Sequence, residues 1–255
     1  MATIAREAQV ADEKPLLRIE NLRFRWSGAP RSCLAIEALS LQPKEAVFLR
    51  GPSGCGKSTL LSLMAGVLKA DSGSVNLLGN NLNALSATAC DRLRADHIGY
   101  VFQQFNLLPY LSVMDNVLLP CQFSARRLKQ AGGNAQSLDA AAALLSAMGL
   151  PATFWQRPAT ELSVGQQQRV AAARALIGQP ELVIADEPTS ALDEDLRASF
   201  MQVLLQACAL AGSTLLFVSH DARLAPLFQR HLDLPQLNSA MTAATAVTAA
   251  EREPA

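Results

Sequence analysis

The glycine-rich stretch at residues 51–59, GPSGCGKST, constrains the fold of this 255-residue chain more than any other feature. It satisfies the pattern G-x-x-x-x-G-K-[ST], and an apolar strand-like segment ending at Arg50 precedes it. An amphipathic helix pattern over residues 57–68 follows. The backbone N–H groups of such a loop turn inward around phosphate oxygens, and the helix N-terminus adds positive potential. The stretch therefore predicts a phosphate-binding loop between a strand and a helix of an α/β domain.

Each residue type in this loop suits a nucleotide ligand. Gly54 and Gly56 permit the backbone conformations that the loop requires. Lys57 supplies a charge for the β and γ phosphates, and Ser58 supplies a hydroxyl for Mg²⁺. We interpret Cys55 as a small filler of the tight turn, in preference to a catalytic thiol. The loop residues expected to bind nucleotide are Gly51, Pro52, Ser53, Gly54, Cys55, Gly56, Lys57, Ser58 and Thr59.

Two further segments suit the rest of a nucleotide site. Ser163 and Gln166 form an S-x-x-Q capping box, and the helix N-terminus behind it would present free N–H groups to an anion. Asp186 and Glu187 follow the apolar segment 182–185, which places Asp186 near Mg²⁺ and Glu187 near an attacking water. Taken alone, the first is an ordinary helix start and the second an acidic turn before a proline. The phosphate loop favours the functional interpretation of both.

Apolar runs between turn signals divide the chain into strand-rich and helical parts. The continuous apolar runs at 182–185 and 214–219 indicate parallel strands buried on both faces. Residues 106–160 are interpreted as a helical insertion with a polar GGN linker at 132–134, and the C-terminal RHLDLPQLNSA predicts only a short last strand. Further strands are predicted over 17–26, within 34–49, over 74–78 and over 98–102, and helices over 112–119, 138–148 and 192–210, with one more from Ser163 to about Ile177.

Composition limits the classes of partner and the cellular compartment that are expected for this chain. Lys plus Arg and Asp plus Glu both number 22, which argues against a nucleic-acid partner held by a basic field. Five scattered cysteines favour reduced thiols in the cytoplasm. The longest apolar run, 203–218, is interrupted by polar residues, so no direct membrane insertion is expected. A domain is predicted over 16–236, with a helical subdomain at about 106–180, between a flexible N-terminus (1–15) and a disordered Ala/Thr-rich tail (237–255).

In combination these motifs resemble the ATP-binding cassette ATPases, the motor subunits of ABC transporters. GPSGCGKST resembles the Walker A loop, ELSVGQQQRVAAARAL the signature helix, and VIADEPTSALD the Walker B strand with the D-loop. The resemblance covers residues 17–234 and implies a P-loop core with a mostly parallel sheet, an N-terminal antiparallel β part and a helical subdomain. It also implies ATP and Mg²⁺ as cofactors.

The resemblance assigns roles residue by residue. It implies catalytic roles for Lys57, Gln103, Glu187 and His220, Mg²⁺ ligands at Ser58, Gln103 and Asp186, and further nucleotide contacts from Trp26, Ser163, Gly165, Gln166 and Asp193. Trp26 falls where the family stacks an aromatic on adenine. Phe24 is the competing candidate for that stack, and a core aromatic on an edge strand is the alternative for Trp26.

The resemblance also implies partners. Two copies would share two ATP molecules, the loop of each facing the signature helix of the other, and a transmembrane permease would hold the dimer on the inner face of the cytoplasmic membrane. The stretch from Phe105, FNLLPYLSVMDNVLLP, resembles the LolD/MacB-like branch. An alternative is a regulatory ATPase, of the cell-division type, that works a membrane partner without transport. Val164 replaces the first glycine of the usual LSGGQ, which is tolerable only where φ is negative, so activity is expected to persist.

Overall fold

The computed structural model describes residues 14–241 and contains two sheets joined through one helix. The strands are Leu17–Phe24 (β1), Leu34–Leu41 (β2), Ala46–Arg50 (β3), Ser72–Leu77 (β4), Asn80–Asn81 (β5), Ile98–Val101 (β6), Leu182–Asp186 (β7), Thr214–Val218 (β8) and Arg230–Asp233 (β9). The helices are Lys57–Met64 (α1), Ala87–His97 (α2), Val113–Phe123 (α3), Ala125–Gln130 (α4), Gly133–Ala147 (α5), Val164–Leu176 (α6), Glu194–Ala211 (α7) and Leu234–Leu237 (α8). Short 3₁₀ turns cover Ala152–Phe154, Ala159–Glu161 and Ala222–Leu227.

The central sheet has the order β6-β7-β8-β3-β9, and every paired neighbour is parallel. Strand β8 is buried along its whole length, as its continuous apolar sequence predicts. Its residues alternate between two cores: Leu215 and Phe217 face the helices α6 and α7, whereas Leu216 and Val218 face α1. Because β7, β8 and β3 are adjacent, the segments that follow their carboxyl ends meet at one edge of the sheet.

A smaller sheet, β2-β1-β4-β5, is antiparallel throughout. Its inner face and α1 share one apolar core with the central sheet, so α1 lies between the two sheets. Together with the parallel sheet and the helical part, this confirms the predicted fold class. The sequence did not predict α2, because only Cys90 is buried in that helix and no apolar stripe marks it.

The helical insertion packs on α6 through α3 and α5. Arg127 of α4 is buried and donates from Nε to the Ile177 carbonyl at 2.9 Å and from Nη2 to the Ala175 carbonyl, so it satisfies the last carbonyls of α6. The predicted GGN linker is wrong, because α5 already begins at Gly133. The turn between α4 and α5 takes two residues, Ala131 and Gly132, and Gly132, with φ of 89°, forms the N-cap of α5.

The predicted tail begins too early at residue 237. Asn238 is fully buried, where its Oδ1 accepts from the Ala35 N–H at 2.8 Å and its Nδ2 donates to the Cys33 carbonyl at 3.0 Å. A polar side chain bonded to the edge of β2 gives no apolar periodicity that a sequence pattern could register. The rest of the predicted tail, 242–255, and residues 1–13 of the predicted N-terminal segment lie outside the described residues. Within residues 14–241, no helix combines the length and apolarity needed to cross a bilayer.

Candidate functional site

A cavity of about 460 Å³ lies at the carboxyl ends of β3, β7 and β8. It brings together residues that are far apart in the sequence, in the position where open α/β sheets bind their ligands. The sequence-predicted residues on its wall are Trp26, Ser53, Gly54, Gly56, Lys57, Ser58, Thr59, Gln103, Asp186, Glu187 and His220.

The phosphate loop joins β3 to α1 as predicted. Gly54 and Gly56 have φ of 79° and 97°, and a Cβ at Gly56 would lie only 2.8 Å from Leu34 Cδ2. The Lys57 ammonium group reaches back across the loop and donates to the Gly51 carbonyl at 2.8 Å and to the Pro52 carbonyl at 3.2 Å. The loop therefore carries its cation at the cavity wall, beside the N-terminus of α1.

Cys55 behaves as a filler. It is 2 % exposed and is absent from the cavity wall, and burial raises the pKa of its thiol, which opposes thiolate chemistry. Cys33 is instead the thiol on the cavity wall, with its Sγ 3.8 Å from Thr59 Oγ1. No motif in the sequence marks Cys33, because only tertiary packing places this residue, just before β2, on the cavity wall.

Asp186 and Glu187 stand at the end of β7. Burial, together with the neighbouring Glu187 charge, raises the pKa of Asp186, although the Lys57 charge and the hydrogen bond of the Tyr100 hydroxyl act in the other direction. No sequence pattern marks Tyr100, because nothing distinguishes it from an ordinary aromatic residue of a strand. The wall thus holds a half-buried carboxylate that one lysine only partly compensates.

Glu187 occupies the left-handed region with φ of 49°, which is unfavourable for a residue with a Cβ. Its Oε2 lies 2.7 Å from His220 Nδ1, and its Oε1 lies 3.8 Å from Lys57 Nζ. The carboxylate is therefore held between a cation and an imidazole at the cavity. Since His220 follows β8 and Lys57 follows β3, the parallel strand order creates this arrangement.

Gln103 lies on the cavity wall just after β6. Beyond Gln104, Phe105 and Asn106 have φ of 59° and 48°, and Arg174 of α6 donates to both of their carbonyls, to that of Asn106 at 2.7 Å. Arg174 is buried, and burial lowers the pKa of its guanidinium. It fixes the backbone that follows Gln103. The sequence does not indicate this role, because Arg174 lies within an ordinary helix pattern.

Trp26 and Phe24, the two candidates for stacking on a base, differ in their exposure and in their contact with the cavity. Trp26 is 49 % exposed and lines the cavity, whereas Phe24 is 7 % exposed and does not reach the wall. The two rings pack edge to face, with centroids 5.1 Å apart. Phe24 therefore packs against the indole from within the core, and Trp26 is the aromatic side chain that lines the cavity.

The remaining predicted residues lie elsewhere. Ser163, Gly165 and Gln166 line a smaller cavity of about 110 Å³ with Leu192 and Leu196. Among residues 14–241 this wall shares no residue with the larger cavity. Asp193 also lies outside the larger cavity; it caps α7, where its Oδ1 accepts from a backbone N–H at 2.9 Å.

The predicted capping box forms at the start of α6. The Ser163 hydroxyl accepts from the Gln166 N–H at 3.3 Å, and Gln166 Oε1 accepts from the Ser163 N–H at 2.9 Å. Val164 is the first helical residue, is 48 % exposed and does not have a positive φ, which meets the condition for a β-branched side chain.

Gly165 is not required by the fold of a single chain. A Cβ there would meet Leu192 Cδ2 at 3.7 Å, an ordinary contact. Glycine inside a helix costs about 0.5–1 kcal/mol relative to alanine. Its presence therefore suits close approach by something outside the chain.

Comparisons with known proteins agree on one family. The family model described as "ABC transporter" matches residues 36–190. The chain is 42 % identical over 190 residues to the uncharacterized ABC transporter ATP-binding protein YbbA of Escherichia coli K12, covering 74 % of this chain and 80 % of that protein.

A probable export ATP-binding/permease protein, MacB of Pseudomonas entomophila, is 37 % identical over 223 residues, covering 87 % of this chain. The chain spans about a third of the length of that relative, 32 %. The dimeric post-hydrolysis structure of the cassette MJ0796 bound to ADP and Pi superposes with a TM-score of 0.73 at 32 % identity, covering 88 % of this chain and 95 % of that one.

Proposed function

The chain belongs to the ABC transporter family as one of its ATP-binding domains, and we propose that it is the ATP-hydrolysing motor of an export-type transporter, working as a dimer. One observation carries the proposal: the residues expected to contact nucleotide lie in two separate cavities of the chain. The larger cavity has the phosphate loop and the acidic residues, whereas the capped N-terminus of α6 belongs to a different cavity. A second copy can close both by placing its α6 opposite the first copy's loop.

Hydrolysis follows from the residues of the larger cavity. Lys57 and the loop N–H groups neutralise the phosphates, and Trp26 stacks on the base. Glu187 accepts a proton from the attacking water, and His220, 2.7 Å from it, orients the carboxylate. The positive end of α6 from the partner copy, with its Ser163 hydroxyl, stabilises charge on the transferred phosphoryl group.

Mg²⁺ fits the same wall. Ser58, Gln103 and Asp186 offer a hydroxyl, an amide and a carboxylate, which are the oxygen ligands that this ion takes. Burial raises the pKa of the half-buried Asp186 carboxyl, so a nearby cation would stabilise its ionised form. When bound, the ion supplies charge neutralisation at the phosphate oxygens.

The proposed partner is a transmembrane permease, to which the chain couples ATP hydrolysis. Similarity to the export protein MacB and the LolD/MacB-like stretch from Phe105 support a permease of that branch. Since the export relatives combine an ATP-binding part with a permease, the chain would sit on the inner face of the membrane through this partner. ATP binding closes the dimer and hydrolysis opens it, which moves the attached permease.

The dimer is tested by trapping it. Glu187→Gln removes the carboxylate that accepts the water proton but keeps the side chain's shape, so with ATP the variant should sediment as a dimer. Glu37→Gln, an exposed change on β2, is the matched control and should remain monomeric under the same conditions. A Glu187→Gln protein that stays monomeric at saturating ATP refutes the model.

Gly165→Ala gives a second, independent test. Because the nearest tertiary neighbour of a Cβ at this position is Leu192 Cδ2 at 3.7 Å, and alanine favours a helix over glycine, the variant should unfold at the parental temperature or slightly above it. In the Glu187→Gln background it should nevertheless weaken ATP-driven dimerisation, since the methyl group blocks the approaching phosphate. Unchanged dimerisation would mean that α6 does not face a partner's nucleotide.

Val164 is compatible with turnover, because its backbone is helical. The purified complex with its permease should hydrolyse ATP without any change at this position. An inactive complex that Val164→Gly restores would contradict this expectation.

A further inference from the structure

Gln168 of α6 lines the smaller cavity and is hydrogen-bonded to the chain beside the larger one. It is fully buried, and its Nε2 donates to the Pro188 carbonyl at 2.9 Å. Pro188 directly follows Glu187, the residue that faces the larger cavity. On its own helix, Gln168 lies five positions after Ser163 and lines the smaller cavity with it.

The backbone at Glu187 needs such a connection. Its left-handed conformation is held on one side by β8, because the Glu187 N–H donates to the Val218 carbonyl at 2.9 Å. On the other side the Ser190 N–H donates to the Glu187 carbonyl at 3.2 Å. The Gln168 bond is the contact from α6, and it fixes the peptide next to the strained residue.

The other end of the same amide is unused. Gln168 Oε1 is buried and has no hydrogen-bond partner in the described chain. A buried acceptor without a partner is costly, so a well-packed helix would favour an apolar residue here. This amide lines the smaller cavity beside Leu192, on the segment that leads into α7.

We propose that Gln168 is a positioning residue that transmits contact at the N-terminus of α6 to Glu187 of the same chain. When α6 is drawn against a partner's nucleotide, its shift moves the Pro188 carbonyl through the Nε2 bond, and the free Oε1 accepts a donor from the segment near Leu192. Occupancy of one ATP site thereby sets the position of the Glu187 carboxylate at the other ATP site. The inference rests on the proposed ATP-bound dimer.

Gln168→Met tests the link, because it keeps the length and volume of the side chain but removes the amide. Gln167→Met is the matched control: Gln167 is the next residue on α6, and its Nε2 donates to the Leu162 carbonyl at 3.0 Å instead of to the strand end. ATP hydrolysis is measured against ATP concentration, and affinity for a fluorescent ATP analogue is measured separately.

Gln168→Met should lower kcat about tenfold, the effect of one lost buried hydrogen bond. It should also reduce the Hill coefficient towards one, from a parental value that we expect between one and two for two coupled sites. Nucleotide affinity should stay within about twofold, and Gln167→Met should match the parent in all three measures. A Gln168→Met protein with parental kcat and Hill coefficient overturns the proposal. A parent chain that hydrolyses ATP without cooperativity also overturns the proposal, whereas a Glu187→Gln protein that stays monomeric at saturating ATP overturns the proposed dimer instead.

Gln168→Glu keeps the test decisive if the Met variant does not fold. A protonated carboxyl can still donate to the Pro188 carbonyl, whereas an ionised one cannot. Burial raises the pKa of such a group, so kcat relative to the parent should be close to one at low pH and fall as the pH rises. A ratio that is constant with pH contradicts a positioning role for the donor.

Discussion

Replacing Arg174 by Met should cost about 2–4 kcal/mol of unfolding free energy. The guanidinium donates to the carbonyls of Phe105 and Asn106, and hydrogen bonds from a charged group contribute about 1.5–3 kcal/mol each. The removal of a buried charge offsets part of that loss, because burial of the charged guanidinium, which lowers its pKa, is itself unfavourable. Since a domain is stable by only about 5–15 kcal/mol, the change is large.

Urea unfolding followed by circular dichroism measures this loss. Arg92→Met, an exposed change on α2, is the control and should stay within about 0.5 kcal/mol. Because Arg174 fixes the left-handed pair that follows Gln103, ATP hydrolysis should fall more than nucleotide affinity in the folded fraction. A loss below about 1 kcal/mol would refute the claim that these bonds hold the segment.

Three further outcomes follow from the geometry. Trp26→Ala should weaken ATP binding by about 1–3 kcal/mol in an equilibrium titration while Trp26→Phe retains most of it, and equal affinities for parent and Ala variant would exclude stacking. Asp186→Asn should abolish hydrolysis yet raise the melting temperature of the nucleotide-free protein, since the folded state binds the Asp186 proton more tightly than the unfolded state does. That gain should be present at pH 7 and shrink as the pH falls to the unfolded-state pKa of Asp, about 3.9, below which the carboxyl is neutral in both states; a gain that grows on acidification would contradict the raised pKa. Gly99→Ala should destabilise by about 3 kcal/mol in urea, because its Cβ would lie 2.2 Å from the backbone oxygen of Ala175, and a stable variant would show that α6 can move off β6 freely.

Local chemistry made much of the site predictable. The loop from Gly51 to Thr59 uses glycine, lysine and hydroxyl residues at fixed spacing, and the capping box at Ser163 needs only two side chains three residues apart. By contrast, Cys33, Tyr100 and Arg174 reach their positions from distant segments and carry no local pattern. The GGN stretch misled because glycines mark a turn but do not say how many residues the turn takes.

The sequence by itself determined which residues can bind phosphate and that the apolar strands at 182–185 and 214–219 must be buried on both faces, since these properties depend on residue type and spacing. Only the tertiary structure decided that β7, β8 and β3 are neighbours, and hence that Glu187, His220 and Lys57 meet at one cavity. It also decided that the helix beginning after Ser163 lies apart from this cavity while Gln168 reaches back to Pro188. Strand order and long-range hydrogen bonds arise from how elements pack, and packing depends on the whole chain at once.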